Sequence, residues 1–88
     1  MKTAFTARFL KDLGKLTDPA VKSAVADVIE AVEKASDLTG LADLKKLQGY
    51  KTAFRIRVGD FRIGVFISKE EVEFARVINR KDICKIFP

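Results

Sequence analysis

Four arginines dominate the chemistry open to this chain: Arg55, Arg57, Arg62 and, a little further on, Arg80. A planar guanidinium grips a phosphate through two parallel hydrogen bonds, which an ammonium cannot do. Three of the four fall at alternating positions around Gly59-Asp60, a pair suited to a two-residue turn with glycine first. With that pair as the loop, Val58 opposes Phe61, Arg57 opposes Arg62, Ile56 opposes Ile63 and Arg55 opposes Gly64. Strand side chains alternate faces, so the apolar partners share one face and Arg55, Arg57, Arg62 and Gly64 the other. Like charges directly opposite one another destabilise a sheet. The arrangement makes sense where the open face meets an anion, and the missing side chain at Gly64 leaves a hollow beside the cations for a ligand. Solubilising arginines on a solvent face are the alternative reading.

Other chemistries drop out. There is no histidine, so Ser-His-Asp triads, Cys-His pairs and histidine-ligated metals are excluded. A single cysteine, Cys84, makes neither an internal disulfide nor a zinc site, and the five glycines form no phosphate loop. Lys51 and Lys81 are candidate backbone contacts, and Lys45-Lys46 either extends the basic surface or stays a solvated face. Phe66 falls on the arginine side, able to stack a base or guanidinium, or to meet a partner or the folded-back tail. Tyr50 reads as a packing aromatic before a stacking one. Cys84 reads as a packing residue, and Glu70, Glu71 and Glu73 as a solvated turn and edge with a general base as the lesser alternative.

These residues need a scaffold, and 88 residues make one domain, 1–88. The net charge is +5, and it is uneven: residues 1–49 carry eight basic against seven acidic side chains, residues 50–88 nine against five. The anion-attracting surface is therefore expected in the second half. No run approaches the ~20 apolar residues of a membrane span, and none near Met1 reads as a secretion signal. A soluble cytoplasmic protein, with no membrane partner, is expected.

Lys2 to Thr6 reads as an edge strand. From Thr6 to Leu16, Phe9, Leu10, Leu13 and Leu16 fall at helical spacing. Asp18 then reads as an N-cap and Pro19 as the first residue of a second helix reaching Ser36, with Val21, Val25, Val28, Ile29 and Val32 on one stripe. Residues 37–49 read as a connector with one loose helical turn, pinned by Leu38, Leu41, Leu44 and Leu47. After Gly49 the period changes from 3.6 to 2, giving three strands to Asn79 and a tail from Arg80 to Pro88. The expected fold is α+β: β-α-α-β-β-β plus a tail, a helical hairpin on one face of a small antiparallel sheet.

Leu47-Gln48-Gly49-Tyr50, then Phe54-Arg55-Ile56-Arg57-Val58-Gly59-Asp60-Phe61-Arg62-Ile63-Gly64, then Asn79-Arg80-Lys81-Asp82-Ile83 resemble the RelE/ParE toxin superfamily. The likeness follows the whole chain in element order and is specific over residues 44–87. It implies a RelE-like microbial RNase fold and the toxin of a type II toxin–antitoxin system, silenced by a cognate antitoxin. The RelE branch cleaves messenger RNA in the ribosomal A site without a metal or other cofactor. By the same resemblance, Arg55, Arg57, Arg62 and Arg80 are the catalytic cations; Lys51, Phe66, Lys81 and Phe87 are the candidate RNA contacts around them. Two departures stand out. Asn79 replaces the family's histidine before the closing arginine, and Cys84 holds the place of its tyrosine, with Phe87 the nearest aromatic. A gyrase-directed ParE-like toxin, or a weakened toxin that only binds antitoxin or RNA, are the alternatives.

Overall fold

The computed structural model describes residues 1–88 in the order β1 (Lys2–Phe5), α1 (Ala7–Lys15), α2 (Pro19–Lys34), β2 (Leu44–Lys46), β3 (Ala53–Val58), β4 (Phe61–Ser68), β5 (Glu71–Asn79) and α3 (Ile83–Ile86). Both long helices start on side-chain caps. The Thr6 hydroxyl accepts from the Phe9 N–H at 3.0 Å while donating to the Ala75 carbonyl at 2.8 Å. Asp18 accepts from the Ala20 N–H at 2.9 Å, with Pro19 first in the helix as expected. An N-cap satisfies one of the donors that the first helical turn leaves unpaired.

The sheet runs β1-β5-β4-β3-β2. The β3–β4 hairpin has the register expected from the Gly59-Asp60 turn, Arg57 opposite Arg62 and Arg55 opposite Gly64. Positive φ falls on Gly59 and not on Asp60, as a glycine-first turn needs. Two expectations give way. The sheet is mixed rather than antiparallel, because β1 lies parallel to β5, with Phe5 beside Phe74. A parallel pair needs a long return connection, and everything from α1 to β4 supplies it. The connector holds no helical turn. It opens on a turn in which Asp37 accepts from both the N–H and the hydroxyl of Thr39, contacts that also hold the Asp37 carboxyl below its usual range. It then forms β2, with Leu44 opposite Ile56, Lys45 opposite Arg55 and Lys46 opposite Phe54. Leucine spacing of three fits a turn locally, but the unpaired edge of β3 offers a row of hydrogen bonds that one helical turn cannot match. Lysines suit the new edge, since charge there discourages pairing with another chain.

Both faces of the sheet are covered. On one, Phe9, Val25 and Val32 of the helices pack against Ile56, Ile63, Val65, Val72, Phe74 and Val77. Phe74 holds the centre, 5.5 Å from the ring of Phe9 and stacked at 5.3 Å on Phe5. On the other, a smaller cluster joins Ala53 and Ala75 to Ile83 and Phe87 of the tail. No helix is long and apolar enough to cross a membrane.

Beyond Phe5 the outer edge of β5 has no strand beside it, and α1 closes it instead. The Thr6 N–H donates to the Phe74 carbonyl at 3.0 Å, and Asp12 accepts from the Val77 N–H at 3.2 Å. A bulge between Phe74 and Arg76, opposite Gly64 and Val65, accompanies this closure. Strict alternation would leave Arg76, paired with Gly64, on the arginine face. Its guanidinium reaches Asp12 instead, Nε to Oδ2 at 2.7 Å and Nη2 to Oδ1 at 3.1 Å. These hydrogen bonds raise the pKa of Arg76 further, against the desolvation that opposes its charge.

Candidate functional site

The sheet register assembles the cations. Lys45 opposes Arg55 on one side, Arg57 opposes Arg62, and all four alternate away from the helix face. Arg55, Arg57 and Arg62 line, with Asp43, Leu44 and Lys45, a hollow of about 410 Å³. One carboxylate and four cations make its lining strongly anion-attracting.

Each guanidinium has a light tether. Arg62 Nη1 donates to the Gly59 and Phe61 carbonyls, both at 2.9 Å, so the turn holds it. Arg57 Nη2 lies 3.2 Å from Asp43 Oδ1 with its side chain 64% exposed. Arg55 Nη1 donates to the Cys84 sulfur at 3.3 Å. Arg80 lies outside the hollow, at the turn end. Its N–H donates to the Asp60 carbonyl at 2.8 Å, and its Nε stands 3.9 Å from Asp60 Oδ1. The structure thus gathers three of the four expected arginines and sets the fourth against the loop that Arg62 also grips. Exposed pairs of this kind are worth about 0–1 kcal/mol. A phosphate, forming charge-assisted bonds of roughly twice neutral strength, can replace such partners without disturbing the fold.

The hollow expected beside Gly64 is not there. A Cβ on Gly64 would fall 2.6 Å from the Phe87 ring, because α3 turns the chain back and seats that ring on the glycine. The open space lies instead toward Asp43 and Lys45. Phe87 is 5% exposed and tilted against Phe66, 5.1 Å between ring centres. With the tail in this position Phe87 has no free face for a base, and Phe66 takes the role of tail contact. Gly64→Ala is accordingly expected to lower stability in thermal unfolding by about 1–3 kcal/mol, the range for forcing methyls into packed sites. The same change in a Phe87→Ala background should cost far less; equal losses in both backgrounds would show that the contact is not the cause.

Lys51 is exposed and lines a separate shallow depression with Lys46, Leu47, Gln48, Gly49 and Tyr50. Lys81 is exposed one residue beyond Arg80, its N–H donating to Asn79 Oδ1 at 3.0 Å, so Asn79 shapes that turn. Glu70 and Glu71 sit at the β4–β5 end of the sheet, opposite the Gly59 turn. Sequence reasoning passed over Asp43, whose place opposite Arg57 becomes legible only once β2 is recognised as a strand. It also passed over Asp12 and Arg76, which no local spacing links.

No family model matches the chain. In sequence, the Toxin RelE3 of Methanocaldococcus jannaschii is 37% identical over 89 aligned positions that span the whole of both chains. The chain belongs to the RelE toxin family. The crystal structure of a RelB–RelE antitoxin–toxin complex from Methanococcus jannaschii contains a chain that matches this one at TM-score 0.83 and 33% identity, over 97% of this chain and 99% of that one. A chain of the archaeal RelE–RelB complex from Pyrococcus horikoshii shares the fold at TM-score 0.73 and 18% identity, over 90% and 93%. A chain of the YoeB dimer from Staphylococcus aureus shares it at 0.72 and 12%, over 91% and 97%. The RelE fold thus persists where most side chains differ. In this chain it is a five-stranded sheet with helices on one side and, on the other, an arginine face that the tail only partly covers.

Proposed function

We propose that this RelE toxin cuts messenger RNA in the ribosomal A site, using the arginine hollow to hold the scissile phosphate. The observation that carries the reading is the meeting of Arg55, Arg57 and Arg62 around one hollow, with like charges set opposite each other at some cost to the sheet. In the reaction the ribose 2′-oxygen attacks the adjacent phosphorus and expels the 5′-oxygen of the next nucleotide. The 2′ proton leaves to a base, and a proton reaches the departing oxygen. Negative charge builds on the phosphate oxygens and the leaving oxygen, and fixed guanidinium groups stabilise it where it forms. Arg62, held by two turn carbonyls, is the most restrained of the three. Arg80, outside the hollow at the turn end, would be drawn toward the phosphate as substrate binds. The scheme asks for no metal and no histidine, and it places the protein's work in the cytoplasm, where the message is translated.

A cognate antitoxin is the natural counterpart. Relatives of this fold occur in antitoxin–toxin complexes, and an acidic segment laid over the arginine face would block the hollow while its apolar residues supply most of the binding. The experiment is to induce the protein and map the 5′ ends of transcripts. New ends confined to translated regions are the expected result. Growth arrest with intact transcripts would overturn the reading in favour of a target other than RNA, gyrase among them.

A further inference from the structure

The single carboxylate in the hollow has an unusual backbone. Asp43, just ahead of β2, adopts φ +63°, and no other non-glycine residue in the chain has positive φ. Left-handed backbone at such a residue persists where its surroundings hold it, and it collects at functional sites. Asp43 touches Arg57 at both ends. Its carbonyl accepts from the Arg57 N–H at 3.2 Å, and its Oδ1 lies 3.2 Å from Arg57 Nη2. Arg57 needs such a partner, for it sits directly opposite Arg62 and its side chain is 64% exposed. Left alone, a long side chain repelled by its cross-strand neighbour would swing into solvent, and the hollow would lose a wall.

Resting on the nuclease reading above, we infer that Asp43 is a positioning residue that holds the Arg57 guanidinium in the hollow, ready for the scissile phosphate. It acts through Arg57. The carboxylate lowers the charge of the lining by one, yet Lys45, Arg55, Arg57 and Arg62 still outnumber it. The hollow therefore gains a fixed geometry and keeps its attraction for anions.

The backbone angle makes the test clean. Glycine accepts φ +63° without a Cβ penalty, so Asp43→Gly removes the side chain and keeps the turn. Asparagine also tolerates this region and retains an oxygen able to accept from Arg57, but it cannot serve as a base. Four proteins with parental melting behaviour are compared on ribosome-bound message: Asp43→Gly, Asp43→Asn, Arg57→Ala and the Asp43→Gly/Arg57→Ala double variant. Asp43→Gly is expected to cut the single-turnover rate ~10-fold, as loss of orientation does. Asparagine should recover most of that loss, and glycine should add nothing once Arg57 is alanine. In ¹⁵N–¹H spectra the Arg57 Nε–H signal should be restrained in the parent and in Asp43→Asn, and averaged in Asp43→Gly. A parental rate for Asp43→Gly overturns the inference, as does asparagine no better than glycine, which would make the carboxylate a charge or a base. A further loss in the Arg57→Ala background overturns it too, by placing the effect elsewhere. If Asp43→Gly is parental while Arg57→Ala is slow, the nuclease stands and the inference falls. If the parent does not cleave, the nuclease reading falls, while the Nε–H signal still decides whether Asp43 orients Arg57.

Discussion

Arg62→Ala and Arg80→Ala are each expected to slow cleavage of ribosome-bound messenger RNA by about 10²–10³, the loss found when one preorganised donor is removed from a developing oxyanion. The larger effect should belong to Arg62. Its guanidinium is already fixed by the Gly59 and Phe61 carbonyls, so little ordering remains to be done when a phosphate arrives. Arg80, with its Nε 3.9 Å from Asp60 and its side chain 60% exposed, must be drawn in by the substrate. Neither side chain is part of the core, and the two turn contacts of Arg62 lie at the surface. Arg62 is half-buried on the open face and Arg80 lies beyond β5, so both variants should melt within a few degrees of the parent. Rescue of growth with unchanged melting then reports chemistry rather than unfolding. Parental cleavage by the double variant would show that these cations do not act at the reacting phosphate.

What could be read from the sequence was whatever a short window decides. Gly59-Asp60 sets the hairpin register because a two-residue turn leaves no slack, and one register places all three arginines. Asp18-Pro19 marks the second helix because a cap and a proline act within one turn. The features that escaped depend on partners far along the chain. Residues 44–46 become a strand only because β3 presents an open edge, and Lys2–Phe5 turns out parallel only because β5 lies beside it. Gly64 shows the limit well. The absence of a side chain there is needed either by a ligand or by a close-packed ring, and the sequence cannot separate the two. Here the space belongs to Phe87, so the tail shares the face on which RNA is proposed to bind. Asp43 escaped for a related reason, since its partner is a cross-strand neighbour and its own stretch carries helical spacing.

Asp12→Ala should be among the most destabilising single changes in the molecule. Asp12 is a charged residue on α1 buried to 9% exposure, and one carboxylate does three jobs there. It takes both guanidinium contacts of Arg76 and the Val77 N–H that β1 is too short to pair. Truncation strands a half-buried guanidinium and an edge N–H together. Breaking a buried pair by removing one partner costs about 3–5 kcal/mol, against the roughly 5–15 kcal/mol that holds a small domain folded. Taking about 3 kcal/mol, at about 4–8 °C per kcal/mol for a domain of this size, melting should fall by about 12–24 °C. Asp12→Asn should cost less, since its one oxygen can still accept from the Val77 N–H and Arg76 Nε, although the charge is lost and the amide NH2 takes the place of the acceptor facing Arg76 Nη2. The order of melting temperatures is therefore parent, asparagine, alanine. A second measurement separates this from an ordinary helix defect. Hydrogen exchange in Asp12→Ala should quicken first at Val77 and its neighbours on β5, because Asp12 is the α1 side chain that pairs the Val77 N–H. If exchange rose instead in α2 and left β5 protected, Asp12 would be stabilising the helical hairpin and not the sheet edge.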